Sequence, residues 1–237
     1  MSRFNLYSFC SGRYGFGRFV GKGFCSTRSL KLCSGWERSM AKTTSVLGRP
    51  RGFDRDAALE RAMLLFWQVG YDGASVRDLG EVMGVSQTSL YSAFVDKASL
   101  YLTSIKHFEI THGVLNMSRV EASTTLSAAI TVLLEDAISR YTAPRRPLGC
   151  MILSGRICDK PDQRKLLLKL RERRSRQGTA ISHAMRGFSD TTDPTLLSQY
   201  LLSNLIGLST LARDGVPASI LRKSVSLMTA GALEAVP

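Results

Sequence analysis

The chain has 237 residues, of which 44% are hydrophobic and 22% are charged. These values are ordinary for globular proteins, and they exclude collagen, a small disulfide knot and uniform disorder. Lys and Arg number 32 against 19 Asp and Glu, and the resulting net charge of +13 favours a polyanionic partner. No stretch reaches the length and apolarity of a membrane-spanning helix.

The first 39 residues differ in composition from the rest of the chain. They hold seven Lys or Arg and a single acid, and no helical or strand period runs through them, so we predict no stable fold here. The segment is consistent with an organelle-targeting peptide, a basic arm that touches an anionic surface, or a translation artefact with Met40 as the true start. We favour the artefact, because residues 40–51 form a short basic arm that leads directly into the first predicted helix.

The cysteine pattern indicates neither a metal site nor structural disulfides. The five cysteines include no CxxC pair and no cluster with histidines, and only Cys150 and Cys158 follow the amino-terminal segment. We therefore expect a protein of the reducing cytoplasm that needs no metal or cofactor.

Three short helices with a glycine turn are predicted after the basic arm. The first covers about 55–69, the second lies between Ser75 and Gly84, and the third begins at the capping residue Ser86. A short helix, a three-residue turn and a second short helix are typical of a helix-turn-helix, here at about 75–94. From these residues alone, an ordinary all-helical core is an equally good interpretation.

The outward positions of the third helix are small, polar and uncharged, as suits the reading of base edges. Glutamine pairs with adenine through two hydrogen bonds, serine and threonine donate or accept, and the threonine methyl contacts thymine. Flanking tyrosine, lysine and arginine side chains suit phosphates or the minor groove. The expected DNA contacts are Arg49, Arg51, Ser75, Val76, Ser86, Gln87, Thr88, Ser89, Tyr91, Ser92 and Lys97.

This part of the chain resembles the amino-terminal domain of TetR-type transcriptional regulators. The resemblance is carried by residues 48–51, 54–71, 75–86, 90–94 and 97–100. The resemblance is collinear over about 60 residues. Two positions depart from the family pattern: Ser92-Ala93 stand where an aromatic-His pair is frequent, and Gly80 stands where Ala is frequent. We expect Gly80 to mark a point where another helix crosses closely.

The resemblance implies an all-α protein in two parts: a helix-turn-helix DNA-binding domain at 52–112 and a larger effector-binding and dimerisation domain at 113–237. It implies a ligand-responsive repressor, not an enzyme, that binds a palindromic operator as a homodimer. The alternative functions are an activator, or a redox or electrophile sensor that acts through Cys150. A thiol at a helix start can have a lowered pKa, although a buried, inert cysteine is the simpler interpretation.

Apolar periodicity predicts the helices of the second part. The fourth helix begins at Lys97, and its apolar face extends through His112 to Leu115. Further helices are predicted at 122–141, 150–153, 161–187, 194–213 and 217–235, of which the last two would form the dimer interface. A histidine on an apolar face is unusual, so His112 guides the choice of effector site, although a satisfied core histidine is the simpler interpretation. The expected pocket residues are Phe108, Thr111, His112, Cys150 and Met151.

Overall fold

The computed structural model describes residues 54–113, 115–155, 157–188 and 194–234, and within them it contains ten α-helices and no strand. The expected all-α class is therefore confirmed. Residues 1–53, including Arg49 and Arg51, lie outside the described residues. The helices are α1 Arg55–Gly73, α2 Val76–Met83, α3 Gln87–Phe94, α4 Lys97–Thr111, α5 Met117–Glu121, α6 Leu126–Tyr141, α7 Arg164–Met185, α8 Pro194–Arg213, α9 Ala218–Lys223 and α10 Val225–Glu234.

Helix α1 begins where its sequence predicts, but it does not end near residue 69 as predicted. The Asp54 carboxylate accepts hydrogen bonds from the amides of Asp56 and Ala57, each at 3.1 Å, and so caps the helix. At Gly70 the backbone leaves the helix with φ 78°, and one more turn continues to Gly73. The kink brings the Tyr71 ring to 5.2 Å from the ring of Tyr101 on α4.

The turn between α2 and α3 explains Gly80, but not in the way we expected. A Cβ atom at Gly80 would lie 3.0 Å from the carbonyl oxygen of Val85, so the close neighbour is the backbone of the turn itself. The expectation of a crossing helix is wrong at this position. The Val85 amide also donates to the Gly80 carbonyl at 2.9 Å, and Gly84 adopts the left-handed conformation with φ 70°.

Helix α4 is shorter than its apolar period predicts. It ends at Thr111, and His112 and Leu115 follow in the connection to α5. Gly113 lies so close to Phe108 that a Cβ atom there would be 2.6 Å from the ring. The chain turns back over Phe108 at this point, and Leu115 becomes buried without belonging to α4.

Three further helix predictions differ from the structure. The helix predicted at 217–235 is two helices, α9 and α10, which are separated at Ser224. Helix α6 begins at Leu126, not at 122, because the Thr125 hydroxyl accepts from the Ala128 amide and caps it there. Residues 150–153 form a buried turn instead of a short helix.

One hydrophobic core connects the first four helices with the later ones. The Trp67 ring on α1 packs edge-on against the Phe108 ring at 4.8 Å, and the core continues through α6, α7 and α8. Arg213 at the end of α8 donates to the carbonyl oxygens of Trp67 and Ser154. In the described part of the chain, no helix is both long and apolar enough to cross a membrane.

Candidate nucleic-acid interface

Helix α3 separates its apolar and polar residues onto two faces. Leu90 and Phe94 are buried against the neighbouring helices. All of the outward side chains that the sequence assigns to DNA are exposed; they are Ser86, Gln87, Thr88, Ser89, Tyr91 and Ser92. The helix therefore presents one polar, uncharged strip to solvent.

Two of these side chains are used to cap the helix. The Ser86 hydroxyl accepts from the Ser89 amide at 3.2 Å and lies 2.9 Å from the Ser89 hydroxyl. Gln87 and Thr88 form no side-chain hydrogen bond with any described residue. In this arrangement Ser86 and Ser89 fix the start of the helix, and Gln87 and Thr88 are available for base edges.

The start of α2 is held by a reciprocal pair of hydrogen bonds. The Ser75 hydroxyl accepts from the Asp78 amide, and the Asp78 carboxylate accepts from the Ser75 amide, both at 3.0 Å. The hydrogen bonds from Ser75 lower the pKa of Asp78. Ser75 is exposed and Val76 is half-buried, so both lie at the surface near this helix end.

Lys97 lies at the first position of α4 and is only partly exposed. Its Nζ atom is 4.4 Å from the centre of the Tyr71 ring, a cation–π contact. Burial lowers the pKa of Lys97 and raises the pKa of Tyr71. The contact places the ammonium group of Lys97 over the ring that follows the α1 kink, while part of the side chain remains open to solvent.

The link between α3 and α4 contains an unusual backbone conformation. Val95 has φ 65° and ψ −59°, and the Asp96 amide donates to the Phe94 carbonyl at 2.7 Å. These angles and this bond define a classic γ-turn, which is rare and strained. The Val95 side chain is 77% exposed, so side-chain packing does not offset the strain.

The sequence-predicted effector residues are only partly brought together. Phe108, His112 and Cys150 line a small cavity between α1, α4, α6 and α7. Thr111 is exposed and donates its hydroxyl to the His107 carbonyl, and Met151 is buried without lining this cavity. The free volume of about 10 Å³ admits roughly one water molecule.

Two polar atoms of this cavity have no partner among the described residues: the indole nitrogen Nε1 of Trp67 and the amide oxygen Oε1 of Gln177. A buried donor and a buried acceptor without partners are costly, and a small polar molecule between them would satisfy both. Neither residue was predicted from the sequence to line an effector site. An indole on an apolar helix face and a glutamine in a basic helix resemble ordinary core and surface positions.

His112 is bound on both ring nitrogens. Its Nε2 lies 3.2 Å from one carboxylate oxygen of Glu60, whose other oxygen lies 2.7 Å from His107 Nε2. Its Nδ1 lies 3.3 Å from Nη1 of Arg146. Because a guanidinium only donates, Nδ1 must accept and Nε2 must carry the proton donated to Glu60. His112 therefore connects α1 with the loop after α6.

The structure overturns the argument for a lowered thiol pKa at Cys150. The side chain is buried, and desolvation raises its pKa more than the amides of Leu153 and Ile152 lower it. Cys158 is exposed, and the neighbouring carboxylate of Asp72 raises its pKa as well. Both free cysteines therefore favour the thiol over the reactive thiolate. In the described part of the chain, no cluster of His, Cys, Asp and Glu has metal-binding geometry.

Comparison with known proteins identifies the fold and the family. Residues 58–103 match the family model described as bacterial regulatory proteins, tetR family. A cysteine-substituted CifR bound to a 26-base-pair operator is 31% identical; the match covers 80% of this chain and 100% of that one, with a TM-score of 0.72. The chain belongs to the TetR family. Like other TetR-family regulators, it is a DNA-binding transcription regulator and not an enzyme.

Curated TetR-type relatives agree with this assignment. The transcriptional repressor ComR of Escherichia coli K12 is 28% identical over 71% of this chain and 83% of its own length. The uncharacterized regulator YezE of Bacillus subtilis 168 is 28% identical over 70% of this chain and 90% of its own length.

Proposed function

We propose that this TetR-family protein is a repressor that binds a palindromic operator as a homodimer and releases it when a small molecule binds. The exposed polar strip of α3 carries the proposal, because it is held outward by the burial of Leu90 and Phe94. Gln87 and Thr88 read base edges, while Tyr91 and Lys97 contact phosphates. The relatives ComR and BdcR of Escherichia coli are named as repressors, which favours repression.

Exposed apolar residues on the last helices support the homodimer. Four large apolar side chains on the last three helices are each 44–75% exposed: Leu196 and Leu211 on α8, Ile220 on α9 and Leu227 on α10. A second copy related by twofold symmetry would cover them. Two α3 helices would then read half-sites separated by about 34–36 Å, one turn of DNA.

Selection of bound duplexes from random DNA tests the reading residues. We expect wild-type protein to select a palindrome, and Gln87→Ala or Thr88→Ala to relax one position in each half-site by about 1–3 kcal/mol. Gln68→Ala, at an exposed glutamine of α1, is the matched control and should select the wild-type sequence. An unchanged consensus in both α3 variants would reject base reading by this helix.

Salt dependence tests the phosphate contact separately. Lys97→Ala should weaken binding to all sequences alike and reduce the slope of log affinity against log salt by about one. An unchanged slope rejects Lys97 as a phosphate contact.

The sign of regulation follows from a reporter driven by the selected operator. Transcription should rise when the regulator gene is deleted, whereas a fall would indicate an activator.

The effector would bind in the cavity that Phe108, His112 and Cys150 line. A ligand there must bind the DNA-incompetent state more tightly than the competent one, and entry requires the cavity to expand. Since His112 follows α4 directly, a shift of this residue would move the helix whose other end adjoins α3. His112→Ala should alter operator release by an effector while leaving operator affinity without effector within about threefold.

A further inference from the structure

A second, larger concavity lies outside the cavity at His112. It is an open groove of about 510 Å³ between α7, α8 and the described residues 153–155 and 157–158. This volume lies in the usual range for small-molecule sites. Its lining residues are Leu153, Ser154, Gly155, Ile157, Cys158, Leu167, Arg174, Ile206 and Thr210.

Most of the groove wall is aliphatic, and its two hydroxyl groups already donate their hydrogens to backbone carbonyls. The Ser154 hydroxyl donates to the Cys150 carbonyl at 2.7 Å, and the Thr210 hydroxyl donates to the Ile206 carbonyl at 2.9 Å. Neither hydroxyl therefore has its hydrogen free for a ligand. Any strong donor in the groove must come from another side chain.

Among the described residues that line the groove, Arg174 supplies that donor. Its Nε donates to the Ile152 carbonyl at 2.9 Å and its Nη2 donates to the Gly155 carbonyl, which uses two of the five N–H groups of a guanidinium. No carboxylate of the described chain pairs with it, whereas the neighbouring Arg173 lies 3.2 Å from Glu109. A half-buried cation that has carbonyl partners but no counter-ion is prepared for an anion.

We propose that this groove binds a small monocarboxylate with an aliphatic body. The carboxylate accepts from the unused N–H groups of Arg174, and the aliphatic body packs on Leu153, Leu167 and Ile206. Arg174 is the one guanidinium among the described residues that line the groove, and its planar N–H groups match the two oxygens of a carboxylate, which carries one negative charge. The binding site is independent of the function proposed above, but operator release by this ligand rests on that function.

Hydrogen bonds connect Arg174 in the groove with α8 through the backbone of the turn at 150–153. The carbonyl acceptors of Arg174 follow Cys150, whose amide donates to the Ser209 hydroxyl on α8 at 2.7 Å. Ligand binding that changes the orientation of Arg174 would therefore act on the backbone between α6 and α8.

Titration calorimetry on the full chain with octanoate, octanol and octylamine tests the site. Wild-type protein should bind octanoate at least tenfold more tightly than octanol, and octylamine should not bind. Arg174→Gln should remove the preference for octanoate over octanol. Arg171→Gln, at an exposed arginine of the same helix that does not line the groove, should behave as wild type. Equal binding of octanoate and octanol by wild type, or an unchanged preference in Arg174→Gln, overturns the proposal.

A second variant covers the case in which Arg174→Gln does not fold. Leu167→Trp places an indole at the half-buried edge of the groove and should abolish binding of octanoate and octanol while the turn remains intact. Unchanged binding of octanoate by this variant would overturn the site.

Fluorescence anisotropy with a selected operator then separates ligand binding in the groove from operator release by that ligand. Binding of octanoate without operator release retains the groove as a ligand site and rejects it as the effector site.

Discussion

Replacement of Val95 by glycine should stabilise the protein, although Val95 lies beside the DNA-reading helix. A β-branched residue with φ 65° and ψ −59° carries strain of about 1–3 kcal/mol. Glycine adopts these angles freely, but it gives the unfolded chain more entropy, which costs about 0.5–1 kcal/mol. Since the valine side chain is 77% exposed, little packing is lost. We expect a net gain of up to about 2.5 kcal/mol in the free energy of unfolding.

Urea denaturation followed by circular dichroism measures this gain, and Val95→Ala is the control. Alanine retains the Cβ atom and most of the strain, so its stability should remain within about 0.5 kcal/mol of wild type. A loss of stability in Val95→Gly would show that the γ-turn is not strained in solution. A gain of the same size in Val95→Ala would assign the effect to the side chain instead.

Three further perturbations test the contacts that hold the helices together. Ser75→Ala removes the capping box of α2 and should lower the free energy of unfolding by about 1 kcal/mol, measured in urea. Glu60→Leu leaves the rings of His107 and His112 without their shared acceptor and should lower the free energy of unfolding by about 1–3 kcal/mol in the same assay. Unchanged stability would show that these two histidines do not help to hold α4 against α1. Burial raises the pKa of Asp72, but hydrogen bonds from the Cys158 amide and the Gln163 side chain outweigh it, and the net shift is downward from 3.8. The contribution of Asp72 is therefore complete above about pH 4 and lost as pH falls through the lowered pKa. Asp72→Asn should reduce the acid sensitivity of the urea midpoint between pH 5 and pH 3, and an unchanged sensitivity would contradict this assignment.

Helix starts could be predicted from the sequence wherever a short polar side chain caps the first turn. Asp54, Ser75 and Ser86 each accept the amide hydrogen bonds that their positions predict. The end of α4 could not be predicted, because the apolar period continues past it. His112 and Leu115 are drawn to the core by the chain reversal at Gly113, which is a tertiary contact that no periodicity contains.

The candidate DNA-reading face was more predictable than the effector site. Exposure of Gln87 and Thr88 follows from the local pattern of α3 alone. The effector cavity instead depends on residues far apart in sequence, such as Trp67 and Gln177. Arg174 lies in a helix with several other basic residues, and only the fold distinguishes it from its solvated neighbours.

The bonds of Arg213 have a practical consequence for work with the DNA-reading helices. This side chain comes from the end of α8 and reaches a carbonyl of α1 across most of the sequence. A fragment that stops after α4 would leave that carbonyl without its donor and would open the Trp67–Phe108 contact to water. Expression of residues 54–113 as a separate module should therefore yield a marginally stable peptide, and titrations with DNA require the intact carboxyl-terminal helices.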